Sequence, residues 1–234
     1  MSSGERKLRS SRGVPGRGPK WNVTAHARLK LGATHQIRTA TCRLLLVRHA
    51  TAERDGRFQG QQDVSLSTTG RQELQLLWDK CSRHPVRAVY SSDLRRASQT
   101  ADALACRFGL SVEVRPELRE MSFGQWEGLS WKQIVRCNPR LACLWIERFP
   151  HEPIPDAEAL RQFQKRIAVG IREIVAANRG QCALVITHAG VIRFTLGKVL
   201  GLPARNLFRL AQDSCAMNII DYLEEGAIVR CING

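Results

Sequence analysis

Hydrophobic positions along this chain fall into short unbroken runs separated by stretches with helical spacing. Residues 43–47 read Arg-Leu-Leu-Leu-Val and stop at Arg48-His49. A continuous apolar run of that length predicts a strand covered on both faces. Residues 88–90 predict a second strand, Val112 and Val114 a short third, 183–186 a fourth, and 216–223 and 228–231 two terminal strands. Ser67 is placed to cap a helix in which Leu74, Leu77, Trp78 and Cys81 share one face. A second helix follows Ser91-Ser92 and runs to about Phe108, with Gly109 placed to end it. Leu160, Phe163, Ile167, Ile171 and Ile174 form one stripe of a helix expected over 157–178, opened by Pro155-Asp156 and followed by Gly180. A further helix is expected after Thr187-His188. Strands alternating with helices predict an α/β fold of three layers, α/β/α, around a mainly parallel sheet.

Composition narrows the picture. A chain of 234 residues that is 43% hydrophobic can bury a substantial core, which excludes a fully disordered protein. Its apolar runs fall well short of the roughly 20 residues that a membrane-spanning helix needs, so a soluble protein is expected, with no membrane partner. The net charge of +15 is unevenly placed: residues 1–41 hold nine Lys/Arg against the single acid Glu5. That stretch has no sustained apolar period and reads as a basic disordered extension ahead of a domain at 42–234. A solvated extension is the plainer reading of it. An organelle-targeting peptide or a nucleic-acid-binding arm is the sharper one, and the rest of the chain offers nucleic acid nothing. The eight cysteines are dispersed, with no CxxC pair, which predicts buried thiols in a reducing, cytoplasmic setting and no metal or other cofactor. The sequence leaves pairing with a second copy of the chain open.

In open α/β sheets, ligands bind beyond the carboxyl ends of the strands. Three expected strands end in reactive groups: one in Arg48-His49, one in Ser91-Ser92 leading to Arg96, one in Thr187-His188. Glu120 follows the third strand. Two guanidiniums, two imidazoles and a carboxylate compose an anion site with an acid beside it. A guanidinium matches phosphate oxygens with a planar fork. Cations around an imidazole disfavour its protonated form and keep it nucleophilic near neutral pH.

These segments resemble the histidine phosphatase superfamily, the phosphoglycerate mutase-like proteins. Leu45-Leu46-Val47-Arg48-His49-Ala50-Thr51 resembles the RHG signature, and Gly56-Arg57-Phe58-Gln59-Gly60 with 63–67 resembles the loop after it. The stretch 90–101 resembles the segment of the second phosphate-binding arginine, 118–128 the general-acid loop, and 185–193 the second-histidine segment. The resemblance covers 43 to about 232 and implies roles by position. His49 would be the nucleophile that becomes phosphohistidine. Arg48, Arg96 and His188 would hold the phosphoryl oxygens, and Glu120 would give a proton to the leaving oxygen. Arg57, Gln59, Gly60 and Ala189 would complete the substrate-binding surface. Arg95 would be a solvated neighbour of Arg96, and the family needs no metal.

Two departures stand out. Ala50 and Ala189 replace glycines common in the family, and the loop from His49 to Arg57 is about two residues shorter, without the usual phosphate-holding Asn. Gln59 is the candidate substitute. The stretch between Glu120 and His188 is shorter than in the cofactor-dependent glycolytic mutases, and 123–128 is more like the phosphatase branches, including α-ribazole phosphatases. The resemblance therefore implies a metal-independent phosphomonoesterase acting on a small-molecule phosphate ester, α-ribazole phosphate or a phosphosugar being examples. The alternatives are a phosphoglycerate mutase and a non-catalytic interaction protein with a basic arm.

Overall fold

The longest apolar run of the chain becomes the strand at the centre of the sheet. In the computed structural model, which describes residues 41–149 and 153–234, β1 (Cys42–Arg48) is flanked by β4 (Gln181–Thr187) on one side and β5 (Met217–Tyr222) on the other. The expected basic extension, Thr41 aside, lies outside the described residues. β2 (Val86–Ser91) and β3 (Val112–Val114) continue beyond β4, and β6 (Ala227–Cys231) beyond β5, giving the order β3-β2-β4-β1-β5-β6. The first four strands in that order pair in parallel, whereas β5 and β6 are antiparallel to their neighbours. The sheet is thus mixed but mainly parallel, as expected.

Alternation along β1 sends its side chains into two cores. Leu45 and Val47 pack with Leu77 and Cys81 of α1 (Thr68–Cys81) and with Ala97, Ala101 and Leu104 of α2 (Arg95–Phe108). Leu44 and Leu46 pack on the other face with Phe163, Ile167, Ile171 and Ile174 of α5 (Leu160–Ala177) and with Val191, Ile192 and Leu196 of α6 (Ala189–Leu200). These are the three layers. Each fully buried leucine contributes about 1.5–3 kcal/mol relative to exposure, so the run that defines β1 also anchors both layers.

The expected helix signals hold at α1 and α2. Ser67 Oγ accepts from the Gly70 N–H, and Gly109 ends α2 in the left-handed conformation, φ 67°. Two expectations need correction. α5 begins at Leu160, three residues later than the start at 157 expected after Pro155-Asp156, because the preceding residues bind the loop at 122–125. Pro155 O accepts from the Gln125 N–H, and the Glu158 N–H donates to Ser122 O. The sequence reading also misses α3 (Trp131–Cys137) and α4 (Pro139–Arg148). Their start signals are present, a Ser130/Gln133 capping box and an Asn138 cap followed by Pro139. α3, at seven residues, is too short to show a repeating stripe, and α4 carries a short one, Leu141, Ala142 and Trp145, that the sequence reading passes over. They bury Trp126, Ile134, Ala142 and Ile154 in a small third core separate from the two that flank the sheet.

Candidate active site

Strand pairing brings the two histidines together. Arg48 and Thr187 are partners in the parallel β1–β4 ladder, so His49 and His188 leave the sheet side by side. The His49 N–H donates to Thr187 O at 2.9 Å, and the two rings lie 5.1 Å apart. β2 ends next to β4, and α2 starts three residues beyond it, carrying Arg96 to the same point. α2 and α6 both begin at this edge, directing the positive ends of their dipoles toward it.

His49 is held in one tautomer. Its Nδ1 lies 2.8 Å from Ala50 O and must carry the proton. Nε2 then keeps its lone pair and accepts from Arg96 Nε at 3.2 Å. Arg96 is only 1% exposed. Its remaining nitrogens donate to Gln62 O and Gly60 O, both at 2.7 Å, which fixes the guanidinium plane against the ring. Burial lowers its pKa to about 10, opposed by Glu120, Asp63 and Glu127, so it stays charged at neutral pH. Arg95 instead points outward and pairs with Asp63.

His188 is held by Ser92, whose Oγ lies 2.7 Å from Nε2, and its Nδ1 is buried with no partner. Arg48 donates from Nη1 to Gln212 O, and its Nε is likewise buried and unpaired. These are two of the five buried side-chain polar atoms without a partner among the described residues. The unpaired Arg48 Nε is a donor that awaits a ligand with acceptor oxygens, and the buried His188 Nδ1 leaves a second ring nitrogen free at the same site.

Glu120 enters from the loop after β3. One carboxylate oxygen accepts from the Met121 N–H at 2.8 Å and the other from the Gly190 N–H at 2.9 Å. A side chain at Gly190 would collide with that carboxyl group, so the glycine is what lets α6 approach it. Arg166 of α5, paired with Glu158, donates to the carbonyls of Glu117, Arg119 and Glu120 and clamps the loop from behind. Thr187 Oγ1 fastens the same loop through Leu118 O. The sequence reading misses Arg166 altogether.

Eight of the nine expected site residues line one cavity of about 460 Å³; the ninth, His188, sits against His49. Gly60 contributes its carbonyl to Arg96, and Ala189 begins α6 at the cavity wall. Arg57 donates to Gly128 O and Gln133 Oε1 at the rim. Gln59 uses its amide nitrogen on the carbonyls of Glu53 and Arg54, so it staples the shortened loop. Ala50 is fully buried without disturbing the ring. Among the described residues, no group of three or more His, Cys, Asp or Glu side chains is gathered as metal ligands would be.

Both imidazoles are pushed well below the usual histidine pKa, by burial first and then by the neighbouring cations: Arg96 and Arg48 for His49, Arg96, His49, Arg48 and Arg166 for His188. A lowered folded-state value fixes the sign of the pH dependence. Below pH ~6.5 the unfolded chain binds a proton at each histidine and the folded chain does not, so stability falls by about 1.4 kcal/mol per pH unit for each. Urea midpoints should therefore drop steadily from pH 7 to 5, and more gently in His188→Gln. Equal slopes for the two proteins would mean that the His188 imidazole takes up its proton inside the fold.

The known proteins similar to this chain agree on a family but carry different substrates in their names. Phosphoserine phosphatase 1 of Hydrogenobacter thermophilus is 27% identical over 194 residues, covering 82% of this chain and 92% of its own. The adenosylcobalamin/alpha-ribazole phosphatase of Escherichia coli is 26% identical over 193 residues, covering 82% and 95%. Among solved structures, a mycobacterial glucosyl-3-phosphoglycerate phosphatase superposes with a TM-score of 0.73 at 27% identity, covering 82% of this chain and 98% of that one. Among the described residues, no helix is long and apolar enough to cross a membrane. The match to the histidine phosphatase superfamily (branch 1) spans residues 44–234, and the chain belongs to that superfamily.

Proposed function

We propose that the protein is a phosphomonoesterase working through a phosphohistidine at His49, without a metal, within a catalytic domain at 42–234. The observation that carries this reading is the pairing of a lone pair fixed on His49 Nε2 with an unpaired donor on Arg48 and, with Ser92 Oγ donating to Nε2 of His188, a second donor on His188 Nδ1. A phosphoryl group entering the cavity gives those donors their acceptors, and Arg96 transfers its hydrogen bond from Nε2 to a phosphoryl oxygen. Nε2 attacks phosphorus, the P–N bond forms, and the P–O bond to the alcohol breaks. Glu120 supplies the proton that the leaving oxygen takes up. Water then attacks phosphorus and gives its proton to Glu120, the P–N bond breaks, and inorganic phosphate leaves with the lone pair restored to Nε2. Catalysis consists of positioning and charge stabilisation. All eight cysteines are free thiols, which supports a reducing compartment such as the cytoplasm.

The test is phosphate release from a panel of phosphomonoesters in buffer containing EDTA, run beside 3-phosphoglycerate primed with 2,3-bisphosphoglycerate. Phosphate release unaffected by the chelator is expected. Fast isomerisation without release would make the protein a mutase, and inertness toward every ester would make it a non-catalytic member of the family.

A further inference from the structure

The cavity has a charged floor and an aromatic wall. The chain contains only five Trp and seven Phe, yet Phe58, Phe123, Trp131, Trp145 and Phe208 line this one cavity together with Ile146. They form a continuous surface: ring centroids are 5.1 Å apart for Phe58–Phe123, 6.0 Å for Phe58–Trp145 and 5.2 Å for Trp145–Phe208. Trp126 and the third core hold this surface from behind. Its outer edge is open, with Phe208 50% and Ile146 63% exposed, so apolar area beside the reacting centre faces solvent until something covers it.

Several polar groups around the wall are already engaged, while Asp55 adds one exposed carboxylate to the lining. Arg57 is tied to Gly128 O and Gln133, and the Gln59 amide nitrogen to its own loop. Arg193 Nε donates to Leu210 O, and its guanidinium lies 5.6 Å over the Phe208 ring, extending the flat surface. Asp55 aside, the wall does not present the array of free hydroxyls, amides and carboxylates that a sugar would require.

Resting on the phosphatase reading, we infer that the site selects esters whose alcohol carries a flat aromatic or similarly broad apolar group. That group lies along Phe58, Trp145 and Phe208 while the phosphoryl group occupies the charged floor. Primary-alcohol esters of similar leaving-group basicity isolate the effect: 2-phenylethyl phosphate, ethyl phosphate, glucose 6-phosphate and O-phosphoserine. The expected result is a kcat/KM for 2-phenylethyl phosphate roughly 10–100-fold above that for ethyl phosphate, the scale of burying one ring. Glucose 6-phosphate and O-phosphoserine should fall with ethyl phosphate or below it. Phe208→Ser and Ile146→Ser, both at exposed positions, should each shrink the phenylethyl-to-ethyl ratio. A ratio near one, a preference for either polar ester, or a ratio unchanged in both variants overturns the inference and leaves the phosphatase reading standing. Hydrolysis of none of the four defeats both.

Discussion

His49→Ala should abolish turnover, with kcat falling on the order of 10⁴-fold or more, the scale seen when a covalent nucleophile is removed. No neighbouring group can take over. His188 Nε2 is held by Ser92, and the Arg96 guanidinium has no lone pair to offer. The same variant should lose incorporation of radiolabelled phosphate from substrate into an acid-labile, alkali-stable protein adduct. Quenched-flow labelling of both proteins makes the check, and an adduct persisting in His49→Ala would move the nucleophile elsewhere. His188→Gln gives a contrasting outcome. It should slow turnover while still allowing label to accumulate, because it removes the imidazole packed against His49 and leaves the attacking nitrogen in place.

The second large effect is expected at Glu120. Glu120→Gln keeps the shape of the side chain and removes its ability to pass a proton, so esters of poorly leaving alcohols should slow by roughly 10²–10⁴-fold. p-Nitrophenyl phosphate, whose leaving group needs no proton, should slow much less in the phosphorylation step. Gly190→Ala should mimic this pattern more weakly, since its methyl group would displace the carboxyl from the N–H that holds it. Plots of log kcat/KM against leaving-group pKa, steeper for both variants than for the parent protein, are the expected readout. A uniform loss across all leaving groups would assign Glu120 to binding rather than proton transfer.

How much of this was readable in advance depended on whether a residue's signal is local. The strand ends were legible because unbroken apolar runs stop abruptly at Arg48, Ser91 and Thr187, and His49, Ser92 and His188 lie just beyond those ends, beside one another. Arg96 could be separated from Arg95 only through the resemblance; in the structure one is buried beside His49 and the other pairs with Asp63 at the surface. Arg166 and Gln212 left no mark in the sequence. Each takes part in a side-chain-to-backbone hydrogen bond across more than 40 residues, Arg166 donating to Glu120 O and Gln212 O accepting from the Arg48 side chain, and no spacing rule reports such contacts. The aromatic wall was hidden for a related reason. Phe58, Trp145 and Phe208 are far apart in the chain and meet only because α3 and α4 carry Trp131 and Trp145 over the cavity.

Trp126, Ile134, Ala142 and Ile154 pack among themselves, apart from the side chains that seal the two faces of the sheet. On the proposed reading, changes in that patch would alter the wall beside the cavity while the histidine pair keeps its footing on β1 and β4. A duplicated gene could acquire a new metabolic assignment through a handful of changes there, without first passing through an unfolded ancestor.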